Sequence, residues 1–262
     1  MQQYYQLNNR ASCSKATQHA LGRLVGCALL CAAWGNAWAG PPFFTDDPEP
    51  VEFRHWEFYF ASQYLDAKGG SSGTAPHFEV NYGAYPNLQL HMIAPLAFSH
   101  PSGGATSYGP GDVEVGVKYR FIGETQARPQ VGTFVLAEAP SGDSDRNLGQ
   151  GKAQLFFPLF MQKSWGPWTT YGGGGYWLNP GEDNKNWVYL GWLLQRDLSR
   201  YVTLGAEVFH RTPDSVAGES GTGFTGGGQI NFTKHCHLLF SSGRDFSGPN
   251  RLTGYVALQW TS

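Results

Sequence analysis

The stretch DVEVGVKYRF, residues 112–121, decides how this chain is read. Val113, Val115, Val117, Tyr119 and Phe121 fall on one face of an extended backbone. Glu114, Gly116, Lys118 and Arg120 fall on the other. A period of two with one apolar and one charged face describes a strand between two different surroundings. Either the apolar face meets the core of a soluble sandwich, or it meets lipid while the charged face lines water.

The ends of the chain narrow the choice. Residues 1–23 carry Arg10, Lys15 and Arg23 and no acid; the apolar run LVGCALLCAAW follows, and Ala37-Trp38-Ala39 precedes Gly40. A basic start, a short apolar run and an A-x-A site read as a secretory signal peptide over residues 1–39, cleaved after Ala39. The apolar run is too short to cross a bilayer as a helix, which needs roughly 20 residues. Leu24-Val25-Gly26-Cys27 has the letters of a lipoprotein signal. Polar residues ending at Arg23 stand where the apolar stretch would have to be, so lipidation is set aside. Of four cysteines only Cys236 lies beyond Ala39, so an internal disulfide is excluded and backbone pairing must hold the fold together. Net charge is −2 with no basic run, which speaks against a nucleic-acid partner.

No segment of the remaining chain approaches an apolar 20-mer, so membrane-spanning helices are excluded. A transmembrane barrel is not, because its strands alternate lipid-facing apolar residues with polar lumen residues. The 35 glycines and 15% aromatics suit a barrel with aromatic girdles, and equally a Gly-rich sandwich. Gly and Pro cut the chain into twelve runs of about ten residues, the length a tilted transmembrane strand needs. They are 54–64, 76–85, 88–98, 112–122, 129–139, 152–163, 167–178, 186–197, 201–211, 223–233, 235–244 and 251–261. Pro95, Pro158 and repeated glycine blur the third, sixth and tenth.

Connection lengths discriminate between the two architectures. LDAKGGSSGTA, SHPSGGATSYGPG, PSGDSDRNLGQG, NPGEDNK and TPDSVAGESGT alternate with Pro86-Asn87, GETQAR, Ser-Trp-Gly, Leu-Ser-Arg and Lys234. A sandwich has no reason to sort loops by parity, whereas an outer-membrane barrel has short periplasmic turns and long outward loops. The last run closes on Val256, Leu258 and Trp260, which resembles the terminal signal read by barrel-assembly machinery, with the aromatic third from the end. The expected fold is all-β: a transmembrane antiparallel up-and-down β-barrel of about twelve strands over residues 54–262. Short turns and both ends would lie on the periplasmic side of a bacterial outer membrane. Residues 40–53 are expected as a periplasmic segment, with a lumen plug as the alternative for PPFFTDDPEPVEF. Outer-membrane lipid and assembly machinery are the expected partners. Tyr119, Phe121, Trp56, Trp168, Trp187 and Trp260 are candidate girdle residues.

Strand parity nominates the lumen. Glu57, Tyr59, His77, Glu79, Asn81, Glu114, Lys118, Arg120 and Glu207 stand opposite apolar neighbours and are the pore-lining candidates. A barrel closed by its own charge pairs is the other reading of the same residues. Asp46-Asp47 and the loop acids Asp143 and Asp145 have cation-binding chemistry, but solvated acids need no ion. His235 and His237 flank Cys236, and two histidines without further ligands do not define a zinc site. Gly172 to Gly175 lack the Lys-Ser or Lys-Thr of a phosphate loop, and glycines in a strand let a neighbour's aromatic ring lie over the backbone. Ser99 with His91, His100 or His210 would be the candidates for a barrel lipid hydrolase. No G-x-S-x-G supports them, and no enzyme activity, cofactor or metal is expected.

Three segments carry a family resemblance: GPPFFTDDPEPVEFRHWEFYFASQY, GPGDVEVGVKYRFIG, and EAPSGDSDRNLGQGKAQLFFPLF with the following GPWTTYGGGGYWLN. Together they are similar to a family of bacterial outer-membrane proteins grouped under the MetA pathway of phenol degradation and described as transporters. The chain departs from that pattern at Pro140-Ser141-Gly142, where Pro-Thr-Gly is expected. The resemblance implies a barrel and a transport-like role, with a small, apolar or aromatic solute as partner. It carries over no catalytic residue, because the shared positions are glycines, aspartates and aromatics at strand and loop boundaries.

Overall fold

A computed structural model describes residues 41–262; the signal-peptide reading of residues 1–39 lies outside the described residues. Among the described residues thirteen strands follow one another: β1 (Trp56–Ala67), β2 (Gly70–Tyr85), β3 (Leu88–Pro101), β4 (Ser107–Pro110), β5 (Val113–Ile122), β6 (Gln130–Ala139) and β7 (Gln154–Trp165), then β8 (Trp168–Leu178), β9 (Trp187–Ser199), β10 (Val202–Arg211), β11 (Gly221–Asn231), β12 (Cys236–Ser247) and β13 (Asn250–Thr261). Each long strand pairs antiparallel with its neighbour in the chain, β1 pairs with β13, and β2 with β3, so the sheet closes. β4 pairs only with β3 and belongs to the loop above it. The wall is therefore a closed twelve-stranded antiparallel barrel, of the transmembrane type that sequence parity describes.

The opening stretch shows which surroundings each face meets. Glu114 and Lys118 are 6% and 4% exposed, while Val115, Val117, Tyr119 and Phe121 stand between 40% and 48% exposed on the outer wall. Among the described residues no second sheet packs against that wall, and the same division runs around it, with Phe60, Phe78, Leu159, Trp192, Val208 and Leu258 all outward and bare. Outward charges, Asp66, Lys163, Arg196, Arg244 and Arg251, sit near strand ends. Of the girdle candidates, Trp56, Tyr119, Phe121 and Trp260 are on the outer face near the short-turn rim. Trp187 is not: it is 3% exposed and faces inward, because β9 places it in phase with Tyr189 and Leu193 rather than with Leu190.

Two connections correct the parity of loop lengths. LDAKGGSSGTA is strand rather than loop, with Leu65 opposite Ser72 and Tyr64 opposite Gly73, and only Lys68-Gly69 turns. Ser72 and Thr74 read as loop residues by polarity, yet both are buried on the lumen side, where polar residues are the rule. The hairpin between β12 and β13 is equally tight, at Gly248-Pro249. Long connections crowd the same rim over residues 102–112, 140–153, 179–186 and 212–220.

Both blurring prolines mark real interruptions. At Pro95, β3 passes from pairing β5 to pairing β4. At Pro158 the β6–β7 register lapses between Gly132↔Phe160 and Leu136↔Phe156, and Thr133 Oγ1 donates to the Pro158 carbonyl at 2.6 Å instead. In the glycine run, an added Cβ at Gly172 would lie 2.4 Å from the Trp192 ring and one at Gly175 2.4 Å from the Phe156 ring, so neighbouring aromatics do lie over this backbone.

The outer face generates a test. Val117→Arg, near the middle of β5, is expected to lower the unfolding free energy in lipid vesicles by about 2–4 kcal/mol, and Tyr85→Arg at the rim by about 0–1 kcal/mol. Denaturant titration of the refolded protein in lipid measures both, and equal small losses would contradict a lipid-facing wall.

Candidate functional site

The lumen holds more than wall side chains. Residues 41–51 lie inside the barrel, with Phe43, Phe44, Thr45, Asp47 and Val51 all buried. This corrects the expectation of a periplasmic segment for these residues. A segment with Thr, Asp and Glu next to three aromatic or aliphatic residues matches an interior that is itself half polar and half aromatic. The segment enters at the short-turn rim, where the Arg54 amide donates to the Gly83 carbonyl at 2.7 Å. It then climbs to mid-height, where Ser241 Oγ donates to the Pro42 carbonyl at 2.5 Å.

Glu207 is the central anchor. Its carboxylate, 1% exposed, accepts from the Phe44 amide at 3.1 Å, Tyr189 OH at 2.9 Å and Thr225 Oγ1 at 2.7 Å. The amide and hydroxyl of Thr45 donate to it as well. Five donors from four residues thus satisfy the buried carboxylate, and a hydrogen bond to a charged group contributes about 1.5–3 kcal/mol net. Gly191 makes room for this contact, since a Cβ there would lie 1.9 Å from Thr45 Oγ1.

Below Glu207 the attachment is ionic. Lys118 Nζ donates to Asp46 Oδ1 at 2.8 Å and stands 3.5 Å from Asp47 Oδ2. Burial pushes the Asp47 carboxyl above the usual carboxylate range, and the Lys118 ammonium opposes that rise. Glu49 accepts from Gln130 at 3.0 Å and Gln162 at 3.2 Å, and its carboxylate meets Arg120 at 3.4 Å. The Val51 amide donates to Gln89 Oε1 at 2.9 Å.

All nine parity candidates point into the barrel, and the structure distributes them among distinct contacts. Glu207, Lys118 and Arg120 hold the segment. Glu57 accepts from Tyr59 OH at 2.7 Å, and Tyr59 OH accepts from Gln259 at 2.7 Å. His91 lies between Asn81 Oδ1 at 2.7 Å and Glu114 Oε1 at 3.0 Å, with Glu79 at 3.6 Å. His77 Nδ1 is 2.7 Å from Thr74 Oγ1, near the far half. A cavity of about 480 Å³ remains between the segment and the wall on the short-turn side, and Glu57, Tyr59, Glu79, Asn81, Lys118 and Arg120 line it.

Parity reasoning passed over two features. Gln89, Gln130, Gln162, Gln195 and Gln259 form an inward polar belt near the short-turn rim, all buried. They share the inward phase of their strands, which is the signal that was available. Towards the long-loop rim the interior turns apolar. Phe156 stacks on Trp177 at 4.5 Å, Trp177 on Trp187 at 5.6 Å, and Phe160, Tyr189, Phe209 and Leu65 join the same buried cluster. Phe44 of the segment meets Phe209 edge-on at 5.0 Å. Above this layer Arg211 faces Asp245 at 3.5 Å, and burial pushes the loop carboxyl of Asp214 upward against the pull of Arg211.

The remaining candidates take structural contacts. His100 Nδ1 is 3.0 Å from Thr106 Oγ1 and His210 Nδ1 2.7 Å from Thr222 Oγ1; neither these nor His91 bonds to Ser99. Asp143 caps the short turn Ser144–Arg146. His235 contacts the Thr261 carbonyl and His237 the Asn231 side chain, and among the described residues no group of three or more His, Cys, Asp or Glu could hold a metal ion.

Barrel, lipid-facing wall and occupied lumen together define a transmembrane β-barrel of the outer-membrane class. The chain is similar to the COG4313 outer membrane channel from Pseudomonas putida F1, with TM-score 0.69 and 16% identity over 86% of this chain and 100% of that one. The translocator domain of the autotransporter NalP from Neisseria meningitidis aligns with TM-score 0.48 and 11% identity, over 79% of this chain and 86% of that one. No family model matches the chain, so the resemblance to the MetA-pathway phenol-degradation family has no support from that side, and no curated protein matches either.

Glu207→Ala removes the acceptor for five donors, and an unsatisfied buried donor costs about 1–3 kcal/mol. The expected outcome is release of the segment, read as new protease cleavage near Phe43-Phe44 while the wall stays protected. Gly191→Ala is expected to do the same by steric contact with Thr45. Undiminished protection in both variants would show that the anchor is elsewhere.

Proposed function

We propose that this chain is a channel of the bacterial outer membrane, exported by its signal peptide. It passes small molecules, apolar or aromatic ones among them, by passive diffusion, and residues 41–51 close its lumen. The carrying observation is the nature of the lumen's contents. A twelve-stranded barrel lies between side-chain-filled small barrels and open porins, and here the space is occupied by a separate segment attached through polar contacts. Such contacts exchange for water when the segment leaves, whereas interdigitated wall side chains could not vacate the space. The aromatic layer of Phe156, Trp177 and Trp187 suits the passage of aromatic solutes. Likeness in fold to an outer membrane channel supports the barrel on which this reading is built.

The second reading is a barrel that never conducts, and the close fit of the segment favours it. Crosslinking separates the two. A Cβ at Gly132 would lie 3.0 Å from Pro48 Cβ, close to the roughly 3.8 Å mean of disulfides. In a Cys236→Ser background, Pro48→Cys with Gly132→Cys is expected to lower channel activity in planar bilayers by about tenfold when oxidised. Dithiothreitol should restore it, along with phenol uptake into liposomes. Protein that inserts but never conducts, oxidised or reduced, would establish the non-conducting reading.

A further inference from the structure

The short-turn cavity has a charge imbalance that its ion pairs do not remove. Lys118 is engaged by Asp46 and Asp47, Arg120 by Glu49, and Glu124 at the cavity rim by Lys163 at 2.8 Å. Glu52, exposed at the rim, faces His55 at 4.0 Å, which leaves Glu57 and Glu79, 7% and 5% exposed, both lining the cavity. Glu57 accepts from Tyr59 OH, and Glu79 from Asn81 Nδ2 at 2.9 Å. The nearest imidazole, His91, stands 3.6 Å from Glu79 but closer to Glu114, so even when protonated it is shared between two carboxylates. Gln162, 2% exposed, also lines the cavity, and its Nε2 is already taken by Glu49 at 3.2 Å. The cavity thus offers carboxylate acceptors in a polar recess of about 480 Å³, lined also by Tyr59 and by Phe134, whose ring Lys118 Nζ covers at 4.9 Å.

We infer that this cavity is a binding site for small organic cations, ammonium or guanidinium compounds, with Glu57 and Glu79 as the recognising carboxylates. A carboxylate in a recess with low-dielectric walls focuses its field on whatever enters, and rings of acids bias pores toward cations. An N–H-rich cation supplies donors that the two carboxylates accept. Gly123 and Glu124, in the turn between β5 and β6, line the same cavity, so it reaches the short-turn rim and is accessible while residues 41–51 stay in place. This assignment adds small organic cations to the solutes of the proposed channel, and it rests on that reading only for transport.

Three probes with one aromatic body isolate the charge: phenethylammonium, phenethyl alcohol and phenylacetate. In calorimetric titration of the purified full chain in detergent, with micelle blanks, phenethylammonium should bind about tenfold tighter than phenylacetate. In Glu57→Gln/Glu79→Gln that ratio should fall below about threefold, with the β-barrel circular dichroism unchanged. If the double variant does not fold, the single Glu57→Gln and Glu79→Gln variants should each lower the ratio. Phenylacetate binding as tightly as the amine, or a cation preference that survives loss of both carboxylates, overturns the assignment. Failure to conduct or to take up phenol would instead count against the channel reading and leave the binding result standing.

Discussion

Closure of the sheet is the constraint on which everything else depends. Backbone amides and carbonyls in hydrocarbon have no water to bond, and an open edge there would leave several kcal/mol of unmet hydrogen bonding per group. Pairing β1 with β13, and β2 with β3, removes both edges. Once the cylinder is closed, alternation along each strand sorts side chains into a lipid face and a lumen face with no further instruction. The run Val115 to Phe121 and the inward Glu114 and Lys118 are one consequence of that geometry rather than two separate features.

A closed cylinder of twelve strands encloses more space than its inward side chains fill, and this protein deals with the remainder in layers. Towards the short turns the wall presents acids, amides and two cations, and a segment of matching polarity lies against them. Towards the long loops the wall presents aromatic rings that pack on one another and on Phe44. The change of chemistry falls where Phe44 and Thr45 meet Glu207, a carboxylate with five donors around it. Segment and wall therefore share one core in which polar attachment is stronger on one side and aromatic packing on the other.

That layering gives the lumen a direction. From the short-turn side the lumen presents fixed charge first and aromatic surface second, with residues 41–51 standing between them. The covalent connection of that segment to β1 at the short-turn rim means that it can leave its contacts without leaving the protein. Fold likeness at 16% identity speaks to the barrel alone, so the functional reading stands on these interior contacts.

Much of the architecture was legible from the chain. A period of two over twelve runs set the strands, and the same parity placed Glu57, Tyr59, His77, Glu79, Asn81, Glu114, Lys118, Arg120 and Glu207 on the inner face, because a side chain's face depends only on its own strand. Polarity misled where it served as a proxy for loops, as in LDAKGGSSGTA, since serine and glycine suit a lumen-facing strand as well as a turn. Residue type alone does not place Trp187, because an aromatic ring fits an outer girdle and a buried layer alike. Only the tertiary structure decided that residues 41–51 occupy the lumen and that Thr45 reaches Glu207, 162 positions away. The physical reason is that alternation specifies a direction and not a partner: what fills an enclosed space follows from the shape of all twelve strands together, and no local pattern in the chain carries that information.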